Sequence, residues 1–262
     1  MKAPSILIAV AAAALLCAPA QAQFRGRGEK PKVWDVTLGA AVASRPSFEG
    51  SDRSIVRALP FVAVSWRDTI SLGQGGLSVT GHLKKIRFGG GLTFDAGRKD
   101  HASDGIFESG DDRLKGLGTI KASAALRAFA STRISLFNFE VSAVKSLNHG
   151  VTGTLGLSSG LPLGKKLILM PHIRATWADG EYMQTYFGVT PAQAGASIFP
   201  RFNASSGFKD VRAGANLIYR INSHWFVGTD VGVTRLLGDA ALSPISIRDT
   251  NVTVMGMAGY RF

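Results

Sequence analysis

The chain has 262 residues, of which 45% are hydrophobic and 18% are charged, and its formal net charge is +12 at pH 7. After residue 22 no apolar stretch reaches the roughly 20 residues that a transmembrane helix needs, so a helical membrane protein is excluded. The single cysteine, Cys17, lies near the start. The rest of the chain therefore offers no disulfide, thiolate nucleophile or zinc–thiolate site.

Residues 1–22 are typical of a secretory signal peptide. Lys2 gives an early positive charge, an apolar run follows from Ile6 to Leu16, and Ala20-Gln21-Ala22 is a small-x-small cleavage site. The run is too short to span a bilayer as a helix, so we expect cleavage after Ala22. Leu16 stands before Cys17, where a lipoprotein signal would have a small residue, so lipidation is not expected.

The positive charge of an exported chain indicates anionic partners outside the cytoplasm. Nucleic acid is the usual partner of a basic protein, but export removes that option. We expect the phosphates of outer-membrane lipid and lipopolysaccharide, or acidic cell-wall polymers, as partners.

The chain after residue 22 begins with a polar, basic segment over 23–32, which indicates a flexible lead-in, and a single domain over 33–262. From residue 33 the hydrophobic pattern has period two, as in a β-strand. At the end of the chain, for example, Val252 and Val254 share one face while Met255 and Arg261 share the other. Candidate strands lie near 33–43, 55–66, 69–74, 76–82, 85–96, 118–130, 133–146, 149–161, 166–178, 209–221, 224–236 and 249–261.

The two faces of these strands distinguish a membrane barrel from a soluble sandwich. The apolar face ends in aromatic residues, and the polar face mixes charges with glycine, which can make room for long arginines in a crowded lumen. The sequence therefore predicts an all-β protein, an antiparallel transmembrane β-barrel of about 12 strands. About ten is the alternative, because the hairpin over 69–82 is weak.

The connections between the predicted strands alternate in length. Bacterial barrels place short turns in the periplasm and long loops outside, and this rule gives an even strand count only if 69–82 forms two strands. Short turns are predicted at Arg67-Asp68, Ser131-Thr132, Leu163-Gly164 and Asn222-Ser223. Long loops are predicted over 44–54, 97–117, 179–208 and 237–248.

The last strand ends in Gly259-Tyr260-Arg261-Phe262. A terminal aromatic after an alternating strand is typical of outer-membrane barrels, and the barrel-assembly machinery recognises that end. Tyr260 and Phe262 are therefore predicted to serve assembly.

Catalytic chemistry is not predicted. His149 has Ser146 nearby in sequence, but the spacing of a nucleophile elbow is missing. His172 alternates with Arg174 on a polar face and is interpreted as part of a lumen network. The acidic segment from Asp100 to Asp112 does not have the ligand spacing of a calcium loop. We therefore predict no enzyme, no cofactor and no metal site.

The inward faces of the strands carry many charges. One interpretation is a basic lumen that conducts anions, and the other is a closed interior held by paired charges. The sequence leaves both open. The cations in question are Arg57, Arg87, Lys121, Arg127, Arg174, Arg212, Arg220 and Arg261, and the acids are Asp35, Asp95, Glu140 and Asp230.

Five loop segments and the chain end carry a resemblance to a known family. The segments are Pro46-Ser47-Phe48-Glu49-Gly50-Ser51-Asp52, Gly97-Arg98, Leu114-Lys115-Gly116-Leu117-Gly118, Tyr186-Phe187-Gly188-Val189-Thr190 and Gly238-Asp239-Ala240-Ala241-Leu242-Ser243-Pro244-Ile245. With the final Gly-Tyr-Arg-Phe, they resemble the MipA/OmpV family of MltA-interacting outer-membrane proteins. The resemblance covers essentially the whole chain after the signal peptide.

The resemblance implies a scaffold that bridges a lytic transglycosylase and a bifunctional murein synthase at the outer membrane. Other members of the family imply a small-solute pore or an adhesin as alternatives. The inward cations add the hypothesis that such a pore prefers anions, and a lipid-modifying enzyme is a separate hypothesis. The family offers no catalytic residues to carry over. The motif glycines, Asp52, Asp239, Pro46 and Pro244 also have a purely structural interpretation, in which they fold loops over the lumen.

Overall fold

The computed structural model describes residues 33–73, 75–103, 105 and 108–262. The predicted signal peptide and lead-in lie outside these residues. The strands are β1 (Trp34–Pro46), β2 (Ser54–Trp66), β3 (Ile70–Gly73), β4 (Gly76–Leu83), β5 (Ile86–Asp95), β6 (Ser123–Ile134), β7 (Phe137–Ser146), β8 (Val151–Ser159), β9 (Leu161–Pro162), β10 (Leu167–Ala178), β11 (Gly207–Arg220), β12 (Trp225–Leu236) and β13 (Thr250–Arg261).

The strands form one closed antiparallel sheet of twelve, as predicted. Each pairs with its neighbour in sequence, β10 pairs with β11, and β13 returns to β1, so no edge is left open. The two-residue strand β9 is additional. It pairs only with β10, and its register, Leu161 with Leu169, continues that of β8, Ser158 with His172. β9 therefore extends β8 across an interruption at Gly160.

The weak hairpin over 69–82 is real, which settles the count. β3 and β4 pair from Ile70 with Val79 to Gly73 with Gly76. Because both strands are present, the six connections 47–53, 74–75, 96–122, 147–150, 179–206 and 237–249 lie at one end of the barrel. The longer loops mark this end as extracellular.

The opposite, periplasmic end consists of tight turns. Arg67 and Asp68 both adopt positive φ, at 49° and 55°, as the central residues of a type I′ turn do. The prediction for β6 was wrong at both ends, because the strand runs over Ser123–Ile134 rather than 118–130. The turn accordingly falls at Ser135, with φ 54°, and not at Ser131-Thr132.

Four short helical segments lie in the long loops. A 3-10 turn covers Asp112–Leu114, and the α-helices are α1 (Gly180–Phe187), α2 (Pro191–Ala196) and α3 (Gly238–Leu242). None of the helices in the described residues is long and apolar enough to cross a membrane.

The outer face of the barrel is apolar and the inner face is mixed. Large aliphatic side chains alternate outward on the strands and remain exposed on the isolated chain, which suits contact with lipid. Examples from seven strands are Val42, Val56, Val79, Leu92, Leu126, Leu155 and Val252.

Candidate functional site

The long extracellular loops meet above the lumen. Loops 179–206, 237–249 and 47–53 join consecutive strand pairs around the rim, and loop 96–122 joins β5 and β6, which lie beyond β3 and β4. Contacts of loop 96–122 with the other three loops therefore cross the mouth of the barrel. We call these four loops the cap. Their contacts are of two kinds: clusters of apolar side chains, and hydrogen bonds between buried polar groups.

The first apolar cluster, here the loop cluster, contains a residue from every cap loop. Leu114, Val189 and Ile245 are completely buried, although they lie in three different loops. The remaining buried members are Phe48, Leu117 and Phe199. Burial of six apolar side chains stabilises the cap, because each contributes roughly 1.5–3 kcal/mol relative to exposure.

The second apolar cluster, here the helix cluster, joins the cap to the barrel wall. Met183, Tyr186 and Phe187 of α1 pack against Ala240 of α3 and Leu236 of β12. Helix α1 begins at a good N-cap, since the side chain of Asp179 accepts a hydrogen bond from Tyr182 N at 2.8 Å. The cap is thus packed like a protein interior.

Hydrogen bonds from two buried side chains hold the carbonyls of α1. Ser243 Oγ, almost completely buried, donates to the carbonyl of Phe187 at 2.6 Å. Arg98 Nη1 donates to the carbonyl of Tyr186 at 2.7 Å. Burial lowers the pKa of Arg98 to about 10, so the guanidinium stays charged at neutral pH. Each bond fixes α1 relative to a different loop.

A charged cluster ties the loop 47–53 to the 3-10 turn. Arg113 contacts Asp52 at 2.6 Å and Asp111 at 3.1 Å, and Ser47 Oγ donates to Asp111 at 3.2 Å. Burial raises the pKa of Asp111, but the hydrogen bonds and charge of Arg113 outweigh it and leave that pKa below its usual value. Asp111 is therefore held as a carboxylate.

A third polar group lies at the base of the cap, where loops meet strand ends. Asp95, the last residue of β5, accepts from Tyr186 Oη at 2.5 Å and contacts His149 Nδ1 at 3.0 Å. Burial, with the neighbouring Tyr182 and Asp95, raises the pKa of Tyr186. Tyr186 therefore keeps its proton and donates. His149 serves to anchor α1, and its contact is Asp95 rather than the sequence candidate Ser146.

Lys209 was missed in the sequence and is a central cation of the cap base. It is 5% exposed and contacts Glu49 at 2.7 Å and Asp210 at 2.6 Å. Lys209 is the third residue of β11, while Glu49 belongs to the first cap loop. A lysine beside an aspartate at a strand end has no distinctive pattern, so only the tertiary contact reveals its role.

The family-like loop motifs all lie in the cap. Gly50 has φ +90°, and a Cβ there would lie 2.6 Å from Ser246 Oγ; only glycine avoids both the strain and the contact. Asp239 accepts from Ser205 N at 2.7 Å, and Ser51 is fully buried. The motif residues Pro46, Phe48, Gly50, Ser51, Asp52, Gly238, Asp239, Ser243 and Pro244 belong to the first and last cap loops or the strand end beside them.

Six of the twelve predicted inward charges form three ion pairs between neighbouring strands. Asp230 is completely buried and contacts Arg212 at 2.7 Å. A Cβ at Gly232 would lie 2.3 Å from Arg212, so this glycine makes room for the arginine, as the alternation suggested. Three pairs span the wall: Arg212–Asp230, Arg127–Glu140 at 3.2 Å and Arg261–Asp35 at 2.6 Å.

The other predicted inward cations are placed differently from one another. Arg57 donates a hydrogen bond to the carbonyl of Ser103 in a cap loop. The guanidinium of Arg87 lies 5.5 Å from the centroid of the Phe129 ring. Arg174 of β10 lies opposite Arg212 of β11 in the strand register. The prediction for Lys121 was wrong. Because β6 begins at Ser123, Lys121 stays in the loop 96–122 and is exposed.

The periplasmic half of the lumen contains an apolar plug that the sequence did not predict. Met170, Ile218 and Phe226 pack together, with Phe61 and Met257 against them. His172 lies at the side of this plug, with Nε2 4.0 Å from Asp230, as expected for a lumen-network residue. Both the paired charged side chains and the apolar plug therefore occupy the interior of the barrel.

The chain end contributes to an aromatic group beside the periplasmic turns. Tyr260 lies 5.1 Å from Trp225 and 4.7 Å from Phe262 between ring centroids. His224 stacks on Tyr260 at 5.3 Å. Aromatic residues at this level form the interfacial girdle of membrane barrels.

The closed sheet, the apolar outer face and the aromatic girdle define an outer-membrane β-barrel. The profile of the family described as MltA-interacting protein MipA matches residues 38–262. The chain belongs to this family, which confirms the resemblance drawn from the loop motifs.

Comparison with solved structures gives distant matches to outer-membrane proteins. In-vitro folded OmpT of Vibrio cholerae is 9% identical, covers 89% of this chain and 99% of its own, and has a TM-score of 0.38. Salmonella typhi OmpF in complex with daunomycin is 11% identical, covers 87% of this chain and 97% of its own, and has a TM-score of 0.37. A bacterial polysaccharide outer-membrane secretin is 11% identical, covers 89% of this chain and 100% of its own, and has a TM-score of 0.40. At such scores the likenesses say nothing about function. No curated protein gives a significant match.

Proposed function

We propose that this outer-membrane barrel is a scaffold that holds peptidoglycan-remodelling enzymes, a lytic transglycosylase and a murein synthase, at the membrane, without catalytic activity of its own. The observation that carries the proposal is the filled interior. Cap clusters lie above the lumen, and the plug and charge pairs lie within it. A barrel built this way works through its surfaces. In this proposal residues 1–22 are a signal peptide removed during export.

The filled interior counts against the alternative of an anion-conducting pore. Conduction needs cations that face a water-filled path, but Arg212 is buried against Asp230 and Arg127 contacts Glu140. A paired cation offers little attraction to a passing anion, because the neighbouring carboxylate cancels its field.

The surface available to periplasmic enzymes is the set of turns. These turns are short, so an enzyme could approach the barrel rim closely, and they are basic. Exposed cations there are Arg67, Lys84, Lys85, Arg133, Lys165 and Lys166. Such a surface favours association with acidic protein surfaces through electrostatic steering.

Affinity purification of the tagged barrel from membrane extracts tests the scaffold. We expect murein hydrolase and synthase to co-purify with the wild type, and less of both with the Lys84→Glu/Lys85→Glu variant. Lys115→Glu is the control, since Lys115 is an exposed lysine in the cap. Failure of both enzymes to co-purify with the wild type would refute the scaffold.

A planar-bilayer recording of the refolded protein completes the test. The filled interior predicts no steady conductance. Steady, anion-selective openings from a demonstrably folded barrel would overturn the proposal in favour of a pore.

A further inference from the structure

We propose that a basic pocket at the periplasmic end binds the free carboxylates of murein stem peptides, so that the barrel holds the cell wall itself as well as its enzymes. The pocket has a volume of about 250 Å³ and lies between the β9–β10 and β11–β12 turns. Lys165, Lys166, Arg220, His224 and Arg261 line it, with Phe226 on its inner side. We call it the vestibule pocket.

The charge of the vestibule pocket is strongly positive. None of the described residues that line it is acidic. Arg261 is neutralised by Asp35, which accepts from its Nε at 3.0 Å and its Nη2 at 2.6 Å. Lys165, Lys166 and Arg220 form no ion pair with any residue in the described part of the chain. Three cations therefore line a space that has no acidic side chain among its described lining residues, which favours the binding of an anion.

Two hydrogen bonds hold the side chains of Arg220 and Lys166 in place. Arg220 Nη2 donates to the carbonyl of Lys165 at 3.3 Å, and Lys166 Nζ donates to the carbonyl of Ile221 at 3.0 Å. Each bond links the two turns that form the pocket walls. Because a backbone carbonyl leaves other donors of each cation unused, the side chains are oriented and still able to bind a carboxylate.

The size of the pocket limits the ligand. A volume of 250 Å³ corresponds to about eight water molecules at roughly 30 Å³ each. The end of a peptide with its carboxylate fits a space of this size. Phe226 and the apolar plug behind it stop the ligand from passing into the lumen.

The position of the pocket favours a cell-wall peptide over a lipid headgroup. Phe226 and Arg261 belong to the inward-facing rows of their strands, so the pocket opens towards the periplasm inside the barrel rim. Lipid headgroups surround the outer circumference instead. Among periplasmic polymers, murein carries free carboxylates at the ends of short peptides. The inference relies on the proposed function for its choice of murein as the periplasmic anion.

Titration of the refolded barrel with a soluble disaccharide tetrapeptide from murein tests the proposal. We expect saturable binding that is lost when the carboxylates of the probe are amidated. The Lys165→Gln/Lys166→Gln variant should raise the dissociation constant about tenfold or more, because two charged hydrogen-bond donors are lost. Arg220→Gln should act in the same direction, and Arg220→Lys should restore part of the affinity.

The matched control is Lys84→Gln/Lys85→Gln, which removes two adjacent lysines from another periplasmic turn outside the pocket. Equal weakening by both double variants would overturn the proposal, since it would show diffuse charge attraction. Binding of glycerol 3-phosphate but not of the muropeptide would overturn it in favour of a lipid headgroup. Absence of muropeptide binding while the enzymes still co-purify would refute the pocket alone and leave the scaffold intact.

Discussion

The extracellular loops of this barrel bury two clusters of apolar side chains, whereas the periplasmic turns leave cations in solvent. The cap positions its charges in pairs, as Lys209 with Glu49 and Arg113 with Asp52. The turns present Lys165 and Lys166 with backbone carbonyls beside them but no carboxylate. Buried apolar packing is concentrated at the extracellular end, and exposed cations are concentrated at the periplasmic end.

This difference separates residues that pack and form ion pairs from residues that remain exposed. The family-like motifs lie in the cap, where their side chains pack and accept hydrogen bonds. The turns carry none of these motifs. Motif residues in an outer-membrane protein can therefore describe how the loops fold rather than what the protein binds.

The largest expected effect is on the helix cluster. Phe187→Ala removes a ring that is 1% exposed and should destabilise the cap by about 3–5 kcal/mol, the usual cost for a buried phenylalanine. Hydrogen exchange of the folded protein should show faster exchange in α1 and α3. Ile198→Ala is the control, because Ile198 is an exposed cap residue whose loss should cost about 0.5 kcal/mol or less. Equal exchange in both variants would mean that the cap has no cooperative core.

Gly50→Ala should have the next largest effect. The positive φ and the contact with Ser246 should together cost about 1–3 kcal/mol of cap stability. Limited proteolysis of the loops measures this directly. Gly195→Ala serves as the comparison, because a Cβ there meets no atom within 4 Å and the substitution in α2 should stabilise slightly. If the two substitutions behave alike, backbone strain does not decide the conformation of the cap.

As the pH is lowered, the cap should lose stability at a higher pH than the periplasmic turns do. The pKa of Asp111 is depressed in the folded state, so its contribution to stability is complete above its unfolded pKa of about 3.9 and disappears as the pH falls through the lower folded value. Protease resistance of the loops should decrease below about pH 4. Asp111→Asn should remove much of this dependence. A cap with the same acid sensitivity in that variant would assign the effect to other carboxylates.

The smallest expected effect is at the periplasmic end. Lys84→Gln/Lys85→Gln should change the free energy of unfolding by no more than about 0.5 kcal/mol, since both side chains are exposed. Urea unfolding followed by the gel mobility of the folded barrel measures it. A loss of several kcal/mol would contradict the division between a structural end and an interacting end.

The barrel was predictable because its signal is local and repeated. Alternation in β13, from Val252 to Arg261, gives the correct face for each residue, and loop parity gives the correct count of twelve. The error in β6 arose because alternation also continues through 118–122. Period two alone does not say where pairing with a neighbour begins.

The interior of the cap was not predictable in the same way. Helix α2 did have a signal in the sequence, since Thr190, Pro191 and Gln193 form a capping box with proline at the helix start. The contacts of Arg98 with the Tyr186 carbonyl and of Lys209 with Glu49 join residues 88 and 160 positions apart. No short-range pattern encodes such pairs.

The seam between β1 and β13 sets the timing of assembly. Asp35 and Arg261, 226 positions apart, meet there, and the ladder runs from Thr37–Arg261 to Ser44–Val254. Until the last strand has crossed the inner membrane, both β1 and β12 have an open edge that can pair with other chains. An exported molecule must therefore be kept apart from its neighbours for the whole of its synthesis, and a chain shortened by its final dozen residues would never end that vulnerable period.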